Sequence, residues 1–112
     1  MHAFYSRQSA ANNGDVSTNG CYLAAGTYTL YLYGYTASTC GKVDVSLDGF
    51  IIAAGVDWYS AAITKNVIKS TATVVVNYSG WHVVKLTTNG QNGASSGFAI
   101  PLTYIEFRPA AD

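Results

Sequence analysis

YSGWHVVKLTTNGQNGASSGFAIPLTYIEF, residues Tyr78 to Phe107, reads as two β-strands joined by a polar loop. Apolar residues recur at every second position, which predicts strands over Trp81–Thr88 and Phe98–Phe107. Between them, Gly90, Gln91, Asn92, Ser95, Ser96 and Gly97 supply the chemistry of a tight reversal rather than of a helix. Pro101 cannot donate to a sheet ladder, so the last strand is either an edge strand or bulged near that residue. A bulge also accounts for the change of parity between Phe98/Ile100/Leu102 and Ile105/Phe107.

The same two-residue alternation extends through most of the chain. Ala3–Arg7 is a candidate first strand, followed by a polar loop from Gln8 to Asn19. Gly20–Ala25 and Thr27–Tyr35 follow, the latter with Tyr28, Leu30 and Leu32 on one face. Lys42–Asp48 puts Val43, Val45 and Leu47 inward, and Asp48-Gly49 has the composition of a type I′ hairpin turn into Phe50–Ala54. Gly55–Ala61 reads as a loop, Ile63–Ile68 as either a short strand or an irregular crossing, and Thr71–Asn77 as a strand. About eight short strands at this spacing predict an all-β fold, an antiparallel β-sandwich of jelly-roll type.

Composition narrows the function. The 112 residues correspond to one domain, with a strand and polar arm over residues 1–19 and the sandwich over 20–112. Only 11% of residues are charged, against about 25% in a typical globular protein. Six basic and six acidic residues cancel, so no clustered cationic footprint for nucleic acid is expected. No apolar run approaches the roughly 20 residues of a membrane helix, and residues 1–10 do not read as a signal peptide. The chain is therefore expected to be a cytosolic product, with Cys21 and Cys40 as free thiols.

Three segments carry a resemblance. Gly26-Thr27-Tyr28-Thr29-Leu30-Tyr31-Leu32, Val43-Asp44-Val45-Ser46-Leu47-Asp48-Gly49 and Gly80-Trp81-His82-Val83-Val84-Lys85-Leu86 resemble strands of galactose-binding-like and carbohydrate-binding-module-like jelly rolls. Asp57-Trp58-Tyr59-Ser60, Gly90-Gln91-Asn92 and Ser95-Ser96-Gly97-Phe98 are similar, in that order, to loops of jelly rolls in structural proteins of tailed bacteriophages. Gln91 and Phe98 depart from the Lys and Tyr usual there. Such jelly rolls often carry calcium, for which Asp57 or Asp15 would be the candidates, although no ligand-dense loop is present.

No catalytic constellation emerges. His82 shares parity with Val84 and Leu86 and is expected to face the core. Asp44 and Asp48 stand roughly 13 Å apart along one strand, beyond the about 5–9.5 Å of glycosidase pairs. No serine sits in a nucleophile elbow, and neither histidine has ligand-like neighbours for zinc. The aromatic residues are the stronger signal. Tyr31, Tyr33 and Tyr35 form a stripe expected to bind a partner. Trp58, Tyr59 and Trp81 are candidates for glycan or partner contact.

These features predict a non-enzymatic protein with no cofactor and no metal. The resemblance implies a virion structural protein made in the host cytoplasm, most concretely a capsid decoration (cement) protein. It would bind the major capsid protein or other virion proteins and pack as a homotrimer through its tyrosine face. The alternative is a carbohydrate- or host-receptor-binding module of a tail fibre or baseplate, with a glycan as ligand.

Overall fold

A computed structural model of the chain describes residues 2–5, 13–100 and 102–109. Eight strands follow in order: β1 (His2–Tyr5), β2 (Val16–Leu23), β3 (Gly26–Thr36), β4 (Lys42–Leu47), β5 (Phe50–Asp57), β6 (Thr64–Val76), β7 (Gly80–Thr88) and β8 (Leu102–Pro109). They pair antiparallel in two four-stranded sheets, with orders β1-β8-β3-β6 and β2-β7-β4-β5. The predicted all-β jelly-roll sandwich is the observed fold.

Alternation fills the space between the sheets. Tyr28, Leu30 and Leu32 of β3 and Ile105 and Phe107 of β8 meet Val43, Val45 and Leu47 of β4 and Val84 and Leu86 of β7, all buried. Every core position read from the strand pattern is buried. Asp48 and Gly49 have φ of 51° and 90°, the two positive values that a type I′ turn requires. In β8, Leu102 pairs with Gly34 and Tyr104 with Tyr33, so Thr103 is the extra residue of a bulge. That bulge lets Leu102, Ile105 and Phe107 all point inward despite their mismatched parity.

The differences have local causes. Ile63–Ile68 and Thr71–Asn77 merge into the single 13-residue β6. Its ladder with β3 is interrupted twice, once beside Asn66, whose φ is 58°. Bulges hide the periodicity by shifting it. Val16–Asn19, read as loop, belongs to β2, which starts four residues before the boundary placed at Gly20. Gly55–Asp57, also read as loop, continues β5 beyond a bulge at Gly55. The outermost strand of the first sheet, β1, comes from the N-terminal segment. Arg7, the loop residues Gln8–Asn12 and Pro101 lie outside the described residues.

Leu30→Ala tests the core assignment. Leu30 is fully buried between the sheets, so its truncation is expected to cost about 2–5 kcal/mol in urea melts. A loss well under about 1 kcal/mol would show that this face does not carry the core.

Candidate functional site

The tyrosine stripe occupies the outer face of the first sheet, and the chain supplies partners for most of it. Tyr33 Oη donates to Glu106 Oε1 at 2.6 Å, and Arg108 Nη2 donates to the same oxygen at 2.9 Å. The Arg108 guanidinium lies 4.1 Å from the centre of the Tyr31 ring, and Tyr33 packs edge-on against Tyr104 at 5.1 Å. Under this layer Glu106 is only 3% exposed. The Tyr33 hydroxyl, and then Arg108, hold its carboxyl below the usual range although burial opposes this. Tyr31 and Tyr33 are half-buried, and Tyr35, 41% exposed, is the open member. The stripe is real, but Arg108 and Glu106 cover much of it.

The phage-like loop motifs converge on one end of the sandwich, where they form a hydrogen-bonded clasp. Asp57 Oδ1 accepts from the Tyr59 amide and Oδ2 from Asn92 Nδ2, both at 2.9 Å. Ser95 Oγ donates to the Cys40 carbonyl at 2.6 Å, and the Ser96 amide donates to the Ser38 carbonyl at 3.0 Å. Gly41 and Gly97 permit the close approach: a Cβ at either would sit 2.9 Å from backbone atoms of Phe98 or Thr39.

Trp58 must be corrected within this clasp. Its loop position suggested a surface contact, but its side chain is 0% exposed and its backbone is held by Gly41 and Ala37. The Lys69 ammonium lies over the ring at 5.5 Å. Trp58 is a core residue with no face to offer a glycan. Tyr59, half-buried, follows it in a bridge to Ala37.

His82 is buried as expected. Its Nδ1 contacts Asp48 Oδ2, and its Nε2 lies 3.0 Å from the Tyr78 carbonyl. The Tyr78 ring stacks on the imidazole at 4.4 Å. Asp48 Oδ1 also accepts from the Val83 amide at 2.8 Å. Burial opposes ionisation of Asp48, but the Val83 amide and His82 outweigh it and keep the carboxyl below its usual range. The pair lies beside Cys21, the cross-strand partner of His82, whose thiol is free but buried. Cys21 and Cys40 are free and buried. Burial, assisted by Asp48, pushes the Cys21 thiol up to about 11.

The outer face of the second sheet is different. Trp81 is 73% exposed and Tyr22, its cross-strand partner, 51%. Their rings meet edge to face, 6.0 Å apart and inclined at 86°. Gly20 pairs with Val83 in the next outward row, and Thr18 with Lys85 and Ser46 in the row after that. The β2–β7 ladder runs unbroken from Val16↔Thr87 to Leu23↔Gly80, so the platform stands on a regular support. On the first sheet, a hollow lined by Gly34, Tyr35, Ile63, Lys65, Asn66 and Thr103 lies where both ladders of β3 are bulged. Sequence reasoning singled out Trp81 but missed Tyr22. The signal was available, because Cys21 and Leu23 point inward and force Tyr22 outward.

No family model and no curated protein matches the sequence. Solved structures do. A xanthan lyase from Paenibacillus matches with a TM-score of 0.74 and 18% identity, over 96% of this chain but only 12% of that one. The CBM36-1 domain of a multidomain xylanase from the hindgut metagenome of Trinervitermes trinervoides matches with a TM-score of 0.68 and 18% identity, covering 97% of this chain and 88% of the domain. A CBM36 carbohydrate-binding module in complex with calcium and xylotriose matches at 0.57 and 19%, covering 93% and 87%. At these identities the likeness establishes the fold alone, an antiparallel jelly-roll β-sandwich. None of these three structures is a virion protein. Among the described residues no group of three or more His, Cys, Asp or Glu gathers to hold a metal ion. Both oxygens of Asp57 accept hydrogen bonds that close the clasp.

The Glu106 network predicts an acid-side loss of stability. A carboxyl depressed in the fold stabilises it fully above the ordinary value of about 4.3 and loses that contribution as pH falls through the folded value. Glu106→Gln is therefore expected to melt below the unmodified protein at neutral pH, with the gap narrowing toward about pH 3. Melting curves whose separation stays constant over that range would contradict an ionised, network-held Glu106.

Proposed function

We propose that the chain is a non-catalytic carbohydrate-binding module whose site is the outer face of the second sheet, centred on Tyr22 and Trp81. The observation that carries this reading is the exposed, mutually braced aromatic pair on an unbroken two-strand ladder. Aromatic rings offer a large rigid apolar area at low entropy cost. Lys85, Thr18 and Ser46 supply the donors and acceptors that sugar hydroxyls need nearby. The fold supports the same reading, since two of the similar structures are carbohydrate-binding modules and one holds xylotriose.

Chemistry has no comparable support. Asp48, Asp57 and Glu106 are each committed to hydrogen bonds that hold the fold. The virion reading drew on the loop motifs together with the low charge content and the lack of a catalytic cluster in the sequence, and the motif residues build the clasp. Capsid binding and trimer formation are carried by no observation of the structure, so they do not enter the proposal.

Affinity electrophoresis through gels containing soluble xylan, xanthan or another plant or bacterial polysaccharide is the direct test. The unmodified protein is expected to be retarded in at least one gel. Trp81→Ala should weaken that binding by about tenfold or more, as loss of a central aromatic anchor does. Because Trp58 is sealed inside, any saccharide-induced change in tryptophan fluorescence should come from Trp81 and vanish in the same variant. Retardation that survives the Tyr22→Ala/Trp81→Ala double replacement would move the site elsewhere. No retardation in any gel would reject the reading.

A further inference from the structure

Gly20 is a glycine for which the backbone gives no reason. It sits within the unbroken β2–β7 ladder, and its φ is outside the positive region that calls for glycine. A Cβ built there would meet only the His82 carbonyl oxygen, at 3.9 Å, an ordinary contact. Two glycines of other strands and two of the clasp have evident reasons. Gly55 has a φ of 60° at a bulge, Gly34 lies at register shifts in both its ladders, and Gly41 and Gly97 are in close contact with backbone.

A glycine inside a strand weakens it, because it adds backbone entropy to the unfolded chain and contributes no side chain. With bulge, bend and internal packing excluded, the remaining physical reason is close approach of something from outside. What lies around Gly20 defines the approach. Tyr22 and Trp81 form the row on one side, Thr18, Lys85 and Ser46 the row on the other, and Val83 is the direct partner. The two flanking rows are four residues apart along β2, roughly 13 Å at the rise of a strand. Gly20 is the low point between them.

We infer that Gly20 sets the specificity of this site for the interior of a linear polysaccharide, which lies along β2 from the aromatic row across the glycine to the polar row. The inference rests on the carbohydrate-binding reading and narrows it. A single sugar stacked on Trp81 would have no use for an empty position 20. An extended chain needs it, because a branched side chain there would lift the polymer from the sheet and break contact with one row. Thr18, Ser46 and the three donors of the Lys85 ammonium then meet hydroxyls of sugars beyond the stacked one.

Gly20→Ala and Gly20→Val in the full chain separate this role from a structural one. A Cβ has room at this position and valine suits a strand, so the melting temperature is expected to stay level or rise. Binding to soluble xylan and xylohexaose, followed by Trp81 fluorescence, should fall by about tenfold or more in Gly20→Val, with Gly20→Ala between. Binding to xylobiose should change by less than about threefold. A lower melting temperature or a failure to fold would show that the glycine serves the backbone and would overturn the inference. So would an equal loss at every chain length. If the unmodified protein binds and Trp81→Ala abolishes binding while Gly20→Val stays within about twofold, only the role of Gly20 falls. If the unmodified protein binds no saccharide tested, the carbohydrate reading falls, and this inference with it.

Discussion

The carboxylate of Asp48 holds the second sheet together at its centre. One residue provides the left-handed first corner of the β4–β5 turn, accepts the Val83 amide and binds the buried His82 ring. It thus joins a hairpin turn to the neighbouring strand β7, and His82 passes the linkage on to the Tyr78 carbonyl at the entry of that strand. A one-residue slip of β7 would turn Val84 and Leu86 out of the core and Val83 and Lys85 into it. Asp48 opposes that slip with bonds that a shifted register could not make. The outward display of Trp81 and Val83 is a direct consequence, so the proposed binding face depends on a carboxylate that would never touch the ligand.

At the clasp end, loops do the work that strand pairing does elsewhere. Backbone groups of Ser38, Thr39, Cys40 and Gly41 would be left unpaired where β3 passes to β4. The 89–99 loop covers them: Ser95 Oγ donates to the Ser38 and Cys40 carbonyls, the Ser96 and Ala99 amides donate to those of Ser38 and Thr39, and the Ala99 carbonyl accepts from the Gly41 amide. This explains why separate short motifs, Asp57-Trp58-Tyr59-Ser60 and Ser95-Ser96-Gly97, resemble loops of other jelly rolls. They share a geometrical problem of closing a sandwich end, which can be solved alike in proteins with different functions.

Periodicity made most of the fold legible before any coordinates. The inward faces of β3, β4 and β7, the Asp48-Gly49 turn and the bulge in β8 all follow from apolar parity and turn chemistry. Parity failed where bulges reset it, at Gly55 and along β6, and where a strand carries mainly polar residues, as at Val16–Asn19. The site was less legible. Trp58 stands among loop residues, and nothing in their local order shows that the loop folds beneath β6 with Lys69 above it. The tyrosines of β3 looked open because Glu106 and Arg108, which cover them, lie more than 70 residues away in sequence.

The two outer faces therefore differ by what the chain supplies to them, not by their aromatic content. On the first sheet, Tyr33 has a carboxylate, Tyr31 has a guanidinium and Tyr104 has the Tyr33 ring. These contacts consume the polar tips and π faces through which tyrosine usually recognises a partner. On the second sheet, Tyr22 and Trp81 have chiefly each other, and the row beside them ends in a glycine. Leaving a tryptophan three-quarters exposed forgoes a large part of the roughly 1.5–3 kcal/mol that burying a big apolar side chain provides. An interior strand glycine adds a further loss of about 0.5–1 kcal/mol. Two stability losses side by side, on a ladder otherwise regular from end to end, mark where the fold departs from what folding alone would favour. A ligand bound on that face would offset them, because anything that binds only the folded state stabilises it in proportion to occupancy.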